Sequence, residues 1–122
     1  MHKLSLLELL EFIKESIELI EKRFASVSSM DDFLDNDESL EKLDSIILRI
    51  QTIGEALKNI DKHQEGFLES VATPEYWSSI IKLRDLISHH YIDIDAEVIY
   101  MICDEKLDEL KINIVALISK VS

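Results

Sequence analysis

Six polar side chains with acid–base or anion-binding chemistry are crowded into the run Arg84-Asp85-Leu86-Ile87-Ser88-His89-His90-Tyr91. An arginine carries a permanent positive charge that can neutralise a phosphate, and a histidine exchanges protons near neutral pH. Together these two residue types can stabilise a phosphoryl-transfer transition state and move its protons. We therefore take this run as the candidate functional centre, and the remaining elements as the scaffold that must position it.

The helical spacing around Arg84 also allows a purely structural explanation. On a regular helix, with about 100° per residue, Arg84 lies in the middle of the apolar face defined by Trp77 and Ile80. A buried guanidinium without a partner is unfavourable. The side chain must therefore form a buried ion pair, extend to solvent, or face a cleft that receives an anion. Glu55 is the obvious carboxylate partner if the second and third helices pack together.

His89 and Arg84 do not share a face of such a helix. His89 lies about 140° away, whereas Ser88 and Tyr91 lie on the Arg84 side. Arg84 and His89 converge only if the helix loosens near its end, or if two chains face each other in a symmetric dimer. Each histidine, His89 or His90, could instead simply complement the dipole at the helix C-terminus.

Four amphipathic helices account for most of the chain. Their apolar residues recur every three and four positions, which is typical of helices with one buried face. The expected helices run over residues 6–24, from a cap at Asp37 or Ser39 to residue 57, from Pro74 to about Tyr91, and from a cap at Asp95 to the end. The pattern predicts an all-α, antiparallel four-helix bundle.

The connections between these helices carry their own signals. The acidic segment 25–37 is expected to be a loop in which Met30, Phe33 and Leu34 pack as a short turn. Gly54 lies on the buried side of its helix, which indicates a close approach by another part of the backbone. Thr73 followed by Pro74 is typical of a helix N-terminus. Residues 91–95 alternate in polarity and are expected to form an extended connection.

The composition supports one helical domain over residues 1–122. Hydrophobic residues make up 47% of the chain, which has two glycines and one proline, too few for the tight turns of an all-β fold. Cys103 is the single cysteine, so no internal disulfide is expected, and no spacing of Cys and His matches a metal site. The sequence predicts no metal and no cofactor. It contains no secretory signal and no membrane-spanning run, which favours a cytoplasmic protein without membrane contact.

The formal net charge of −12 restricts the partners. An acidic protein repels the phosphate backbone of nucleic acids, so the composition alone favours a protein-binding module. An RNA-directed activity would need a local basic patch or a surface shared with another chain. Lys82, Arg84, His89 and His90 supply a small cationic patch.

The candidate run resembles a family signature. The pattern Arg84-x-x-x-x-His89-x-Tyr91 is similar to the R-x-x-x-x-H-x-Y motif of HepT-like proteins, in the HEPN (higher eukaryotes and prokaryotes nucleotide-binding) superfamily. The similarity extends over about residues 46–110, through Gly54-Glu55-Ala56, Pro74-x-x-Trp77-x-x-Ile80, and Tyr91-x-x-Ile94-Asp95 with Val98.

This resemblance implies a HEPN bundle that works as a homodimer, with the two motifs facing each other across a cleft. It implies a metal-independent ribonuclease toxin of a toxin–antitoxin pair, acting on an RNA such as tRNA or mRNA. Arg84 would hold the scissile phosphate, His89 would act as general acid or base, and Asp85 would orient its neighbours. Ser88, His90 and Glu55 would support the site. The partner would be an MntA-type nucleotidyltransferase that silences the toxin by transferring AMP to Tyr91.

Two other hypotheses remain open from the sequence. One is a non-catalytic HEPN subunit that binds or serves as a scaffold for the nucleotidyltransferase, and the acidic composition favours it. The other is a plain helical dimer in which Arg84 is an ion-paired core residue. The presence of both Arg84 and His89 favours the ribonuclease, because a scaffold has no need for that pair.

Overall fold

A computed structural model describes the backbone of residues 3–87 and 91–122, and side chains from residue 6 onward within those ranges. Within them the chain forms five α-helices and no strand. The helices are α1 (Lys3–Phe24), α2 (Asp37–His63), α3 (Pro74–Ile81), α4 (Ile92–Glu105) and α5 (Leu107–Val121). The fold is therefore the all-α bundle that the sequence predicts. Ser88, His89 and His90, three of the candidate site residues, lie outside the described residues.

The first helix ends at Phe24, as its apolar stripe predicts. The stripe residues Leu10, Ile13, Ile17 and Ile20 are completely buried between α2 and α5. Two polar contacts show the relative direction of α1 and α2. Ser16 near the middle of α1 lies 3.3 Å from Arg49 of α2, and Ser26 beyond the end of α1 lies 2.6 Å from Lys42 near the start of α2. The two helices therefore run antiparallel.

The acidic connection between α1 and α2 is ordered by its apolar residues. Residues Met30–Leu34 form a 3₁₀ turn that buries Phe33 completely, which confirms the expected short turn. The predicted cap of α2 is wrong: the N-cap is Asn36 rather than Asp37 or Ser39. The Asn36 side-chain oxygen accepts a hydrogen bond from Ser39 N at 2.9 Å. All three residue types can cap a helix, so composition does not distinguish them.

The third helix begins as predicted and ends earlier. The Thr73 hydroxyl accepts a hydrogen bond from Tyr76 N at 3.1 Å, and Pro74 occupies the first turn. The α-helix stops at Ile81, ten residues before the predicted end at Tyr91. It continues as a 3₁₀ segment over Lys82–Leu86, and Ile87 is extended.

The C-terminal part also departs from the prediction. Residues 92–95 form the first turn of α4 rather than an extended connection, and Tyr91 occupies the N-cap position assigned to Asp95. Asp95 is a buried residue of that turn. A break at Lys106, with φ −114° and ψ −28°, divides the predicted fourth helix into α4 and α5. The apolar stripe keeps its phase across this break, so the sequence pattern does not reveal it.

One tryptophan ties α3 to the preceding loop. Trp77 is 2% exposed, and its Nε1 donates a hydrogen bond to the Leu68 carbonyl at 2.7 Å. Burial of the indole fixes α3 against α2, which in turn positions the 3₁₀ segment that follows. None of the described helices is both long and apolar enough to cross a membrane.

Candidate functional site

Arg84 is ion-paired with Glu55. The guanidinium Nη1 contacts the Glu55 carboxylate of α2, and Nε lies 3.8 Å from the carboxylate of Asp85. The Arg84 side chain is 25% exposed, whereas those of Glu55 and Asp85 are 65% and 69% exposed. The pairing of Arg84 with Glu55 confirms the partner expected from the sequence. The two carboxylates contact different nitrogens of the guanidinium, and a quarter of the side chain stays exposed to solvent.

A glycine on α2 makes room for this arginine. A Cβ built on Gly54 would lie 3.6 Å from Arg84 Cδ and 3.7 Å from the Ile81 carbonyl oxygen. The methylene groups of Arg84 therefore lie directly over Gly54, and the end of α3 comes close to α2 there, as the buried glycine predicts. The guanidinium extends past Gly54 to reach Glu55, the next residue of the helix.

Arg84 lines a cleft of about 340 Å³ between α2 and α3. The buried Trp77 and the half-buried Ile81 form its floor. Three cations and three carboxylates surround the floor: Lys58, Lys82 and Arg84, and Asp61, Glu69 and Asp85. Lys58, Asp61 and Glu69 were not identified from the sequence, because they lie outside the motif. The cleft is electrically balanced, so an anion bound there depends on the few cations that face it.

Tyr91 is an exposed residue at the start of α4. It occupies the N-cap position of α4, forms no side-chain capping bond, and is 64% exposed. The described residues that follow Arg84 are not α-helical, because α3 ends at Ile81, Lys82–Leu86 is a 3₁₀ segment and Ile87 is extended. The regular helix on which the 140° separation of Arg84 from His89 and the shared face with Tyr91 were predicted is therefore absent at Arg84, as the alternative of a helix that loosens near its end expects. His89 itself lies outside the described residues. The structure brings together Arg84, Glu55 and Asp85.

A second cleft, of about 450 Å³, lies between α1 and α2 beside Glu55. Its lining includes Lys58, Lys62 and His63, with Glu55 as the carboxylate. His63 is oriented by a hydrogen bond from its Nδ1 to the Asn59 carbonyl at 3.0 Å. Lys62 and His63 were also missed from the sequence. The signal that could have found Lys62 is its spacing from Glu55 and Lys58, which places all three residues on one exposed face of α2.

The acidic residues are concentrated at the opposite end of the bundle. Residues 28–45 carry a net charge of −6 and residues 97–109 carry −4, whereas residues 49–85 carry −1. The two acidic segments lie together: the Tyr100 hydroxyl donates a hydrogen bond to the Ser28 carbonyl at 3.0 Å. The surroundings of Arg84 are therefore much less acidic than the total charge of −12 suggests.

The described residues meet the requirements of neither a metal site nor a cysteine nucleophile. Within the described ranges, no group of three or more His, Cys, Asp or Glu side chains is arranged to hold a metal ion. Cys103 is buried, and burial raises the pKa of its thiol to about 12. A thiol in that state is a poor nucleophile, because the thiolate is the reactive form.

Comparison with known proteins agrees with the motif. The family described as "Ribonuclease HepT-like" matches residues 13–117. The protein named "Putative RNase MJ0127" of Methanocaldococcus jannaschii is 31% identical over 102 residues, which cover 84% of this chain and 74% of the relative. "Probable ribonuclease HepT" of Thermococcus cleftensis is 30% identical over 102 residues, or 84% and 86% of the two chains. No solved structure matches at a significant level.

The family match covers the bundle from the middle of α1 to near the end of α5, including Glu55, Arg84 and Tyr91. The match covers most of the length of both relatives, and both are named as ribonucleases. The chain belongs to the HepT-like ribonuclease family.

Proposed function

We propose that this protein is a metal-independent endoribonuclease and the toxin of a toxin–antitoxin pair. The observation that carries the proposal is the placement of Arg84: its guanidinium is oriented by Glu55 at the edge of a cleft and keeps access to solvent. Family membership supplies the reaction class, and the structure supplies a fixed positive charge beside a space that can receive a phosphodiester.

The reaction needs few protein groups, because RNA carries its own nucleophile. The 2′-oxygen attacks the adjacent phosphorus, the bond to the 5′-oxygen breaks, and a 2′,3′-cyclic phosphate forms. His89 takes the 2′-hydroxyl proton or protonates the leaving 5′-oxygen. Arg84 stabilises the extra negative charge of the transition state. Glu55 and Asp85 hold the guanidinium in orientation, and Ser88 and His90 support the motif.

Tyr91 is the proposed point of regulation. An MntA-type nucleotidyltransferase would transfer AMP from ATP to its hydroxyl and release pyrophosphate. The 64% exposure of Tyr91 supports this step, since the acceptor must enter another enzyme's active site. The added phosphate would bring negative charge and bulk next to the motif and compete with RNA for Arg84. Both proteins would act in the cytoplasm.

A homodimer is proposed as the working form. Apolar side chains close to the motif in sequence are exposed: Leu86 at 51%, Ile92 at 45% and Ile94 at 48%, together with Tyr91. Exposed apolar residues clustered on one surface are typical of an interface. A contact through this surface would place the two motifs close to each other and complete the cleft.

The nuclease proposal is tested by incubating the purified protein with labelled RNA in the presence of EDTA. Arg84→Ala and His89→Ala should each lower the cleavage rate by at least about 100-fold, and Lys106→Ala, an exposed lysine outside the site, should not. Intact mass must first show that Tyr91 is unmodified, and light scattering must show that the oligomeric state is unchanged. Equal cleavage by wild type and both variants would refute the assignment.

Absence of cleavage by the unmodified wild type would favour the second hypothesis, a non-catalytic subunit of the nucleotidyltransferase. The acidic end of the bundle is the observation that supports it. A stable complex with that enzyme, without RNA cleavage, is its expected result.

A further inference from the structure

The cleft between α1 and α2 has the composition of a binding surface for a polyanion. We call it the α1–α2 cleft. It has an apolar base and a polar rim, and its lining consists of Leu9, Phe12, Thr52, Glu55, Ala56, Lys58, Asn59, Lys62 and His63. Two lysines and a histidine face a single carboxylate. The cleft at the acidic end shows the opposite balance, since Glu97, Asp104 and Glu105 line it without a cation.

The α1–α2 cleft is continuous with the site around Arg84. Glu55 lines it and is also the partner of Arg84. Lys58 lines both this cleft and the one that contains Arg84. A chain-like ligand bound to the guanidinium of Arg84 can therefore reach the α1–α2 cleft by passing over the exposed face of α2 that carries Glu55 and Lys58.

The lysines of this cleft are available to a ligand. Lys58 and Lys62 are exposed, and neither forms an ion pair with another part of the chain that the structure describes. They are four residues apart on α2, so they project from the same face of the helix. The acidic start of α2 at Asp37 is roughly 30 Å away along the helix axis, beyond the range of strong interaction at physiological salt.

An aromatic ring lies in the same cleft. Phe12 is 36% exposed, and the guanidinium carbon of Arg49 lies 6.0 Å from its ring centroid. The aliphatic side chain of Leu9 lies beside it. Aromatic rings in a positively charged groove provide stacking surfaces for the unpaired bases of a single strand.

We infer that single-stranded RNA binds along the α1–α2 cleft on its way to Arg84, with Lys58 and Lys62 contacting phosphates and Phe12 stacking on a base. This inference rests on the proposed nuclease function and adds the path of the substrate. It explains how a protein of charge −12 can bind RNA: the strand follows a cleft whose lining has two lysines and one carboxylate.

The test measures binding separately from cleavage. A fluorescent single-stranded RNA oligonucleotide, with a 2′-O-methyl group on every ribose to block the attacking 2′-oxygen and prevent cleavage, is titrated with the full-length protein at several salt concentrations. The double variant Lys58→Ala/Lys62→Ala should bind at least tenfold more weakly. The slope of log K against log salt should fall in magnitude by about 1.4, since each lost phosphate contact on a single strand removes about 0.7.

The matched control is Lys106→Ala/Lys120→Ala, which changes the net charge equally at two exposed positions, one between α4 and α5 and one near the end of α5. It should bind RNA like the wild type. If both double variants weaken binding equally, the effect is one of total charge and the inference is wrong. Circular dichroism and thermal unfolding of every variant show that the fold is retained.

Phe12→Leu isolates stacking, because leucine keeps the apolar contact and removes the ring. It should weaken binding at least fivefold with an unchanged salt slope.

Measuring cleavage beside binding separates this inference from the nuclease proposal. Normal cleavage and binding by Lys58→Ala/Lys62→Ala would refute only the path, whereas lysine-dependent binding without cleavage by the wild type would refute only the nuclease. If the cleft instead binds a protein partner, the wild type fails to bind the oligonucleotide and the path is refuted.

Discussion

Glu55 and Arg84 form an ion pair between partners of very different exposure. The arginine side chain is 25% exposed and the glutamate side chain 65% exposed. The arginine is buried by its methylene groups against Gly54, while the charged ends meet near the surface. Water therefore screens the pair, and its contribution to stability should be that of a surface ion pair rather than a buried one. Orientation of the guanidinium is its more important effect.

Glu55→Gln should consequently lower the free energy of unfolding by only about 0.5–1 kcal/mol. Urea denaturation measures this change. Glu65→Gln is the control, because Glu65 is exposed and forms no ion pair within the described residues. A loss of about 3 kcal/mol or more, the magnitude expected when a buried partner is removed, would contradict this assignment of the pair to the surface.

Substitutions of Gly54 should separate the stability of the protein from the positioning of the Arg84 side chain. The contacts of an added Cβ, at 3.6 and 3.7 Å, are ordinary van der Waals distances. Gly54→Ala should therefore stabilise the protein by up to about 1 kcal/mol through helix propensity. Gly54→Leu would place further atoms where the Arg84 methylenes lie, and it should reduce nuclease activity. Urea denaturation measures the stability of Gly54→Ala, and the cleavage assay measures the activity of Gly54→Leu. A Gly54→Ala variant less stable than the wild type would refute the stability prediction.

Tyr91→Phe should change thermal stability very little, by about 0.5 kcal/mol or less, because the hydroxyl is not used for capping. It should abolish the AMP-sized mass increase after incubation with the nucleotidyltransferase and ATP. Tyr100→Phe is the matched control, since its hydroxyl contacts Ser28 at the acidic end. An increment that survives in Tyr91→Phe would place the modification elsewhere.

The buried thiol predicts a specific loss of stability at high pH. Burial raises the pKa of Cys103 from 9.0 to about 12, so the folded protein retains a proton that the unfolded chain has lost. This contribution is complete below pH 9 and decreases between pH 9 and 12, by up to about 1.4 kcal/mol per pH unit.

Cys103→Ala isolates this effect from the other groups that titrate in the same range. The variant should be less stable than the wild type at pH 8, because it loses buried volume. The difference should shrink by pH 10.5. A constant difference between the two proteins across this range would refute the prediction.

The sequence predicted the scaffold well where apolar spacing was regular. The stripe from Leu6 to Phe24 gave the correct end of α1, and Gly54 correctly indicated the close approach of the third helix. It also pointed to Glu55 as the partner of Arg84, because residues expected to face each other across two packed helices can be paired from their charges.

The ends of elements were predicted less well, for identifiable reasons. Ile80, Leu83 and Ile87 follow the spacings of three and four that are typical of an α-helix, so the pattern predicts that the helix continues past its observed end at Ile81. The break at Lys106 keeps the buried face in phase and leaves no trace in the pattern. The α1–α2 cleft was missed because its residues come from two distant segments without a shared motif.

The separation of charge along the bundle gives the molecule an electric dipole moment. Two segments at one end, residues 28–45 and 97–109, hold −10 of the −12 net charge, so the other end is close to neutral. In the field of an approaching polyanion the acidic end is turned away, and the surface of the α1–α2 cleft is presented before any contact forms. RNA would then meet the protein with the α1–α2 cleft facing it, despite the overall repulsion. The association rate should rise with moderate salt, because salt screens that repulsion.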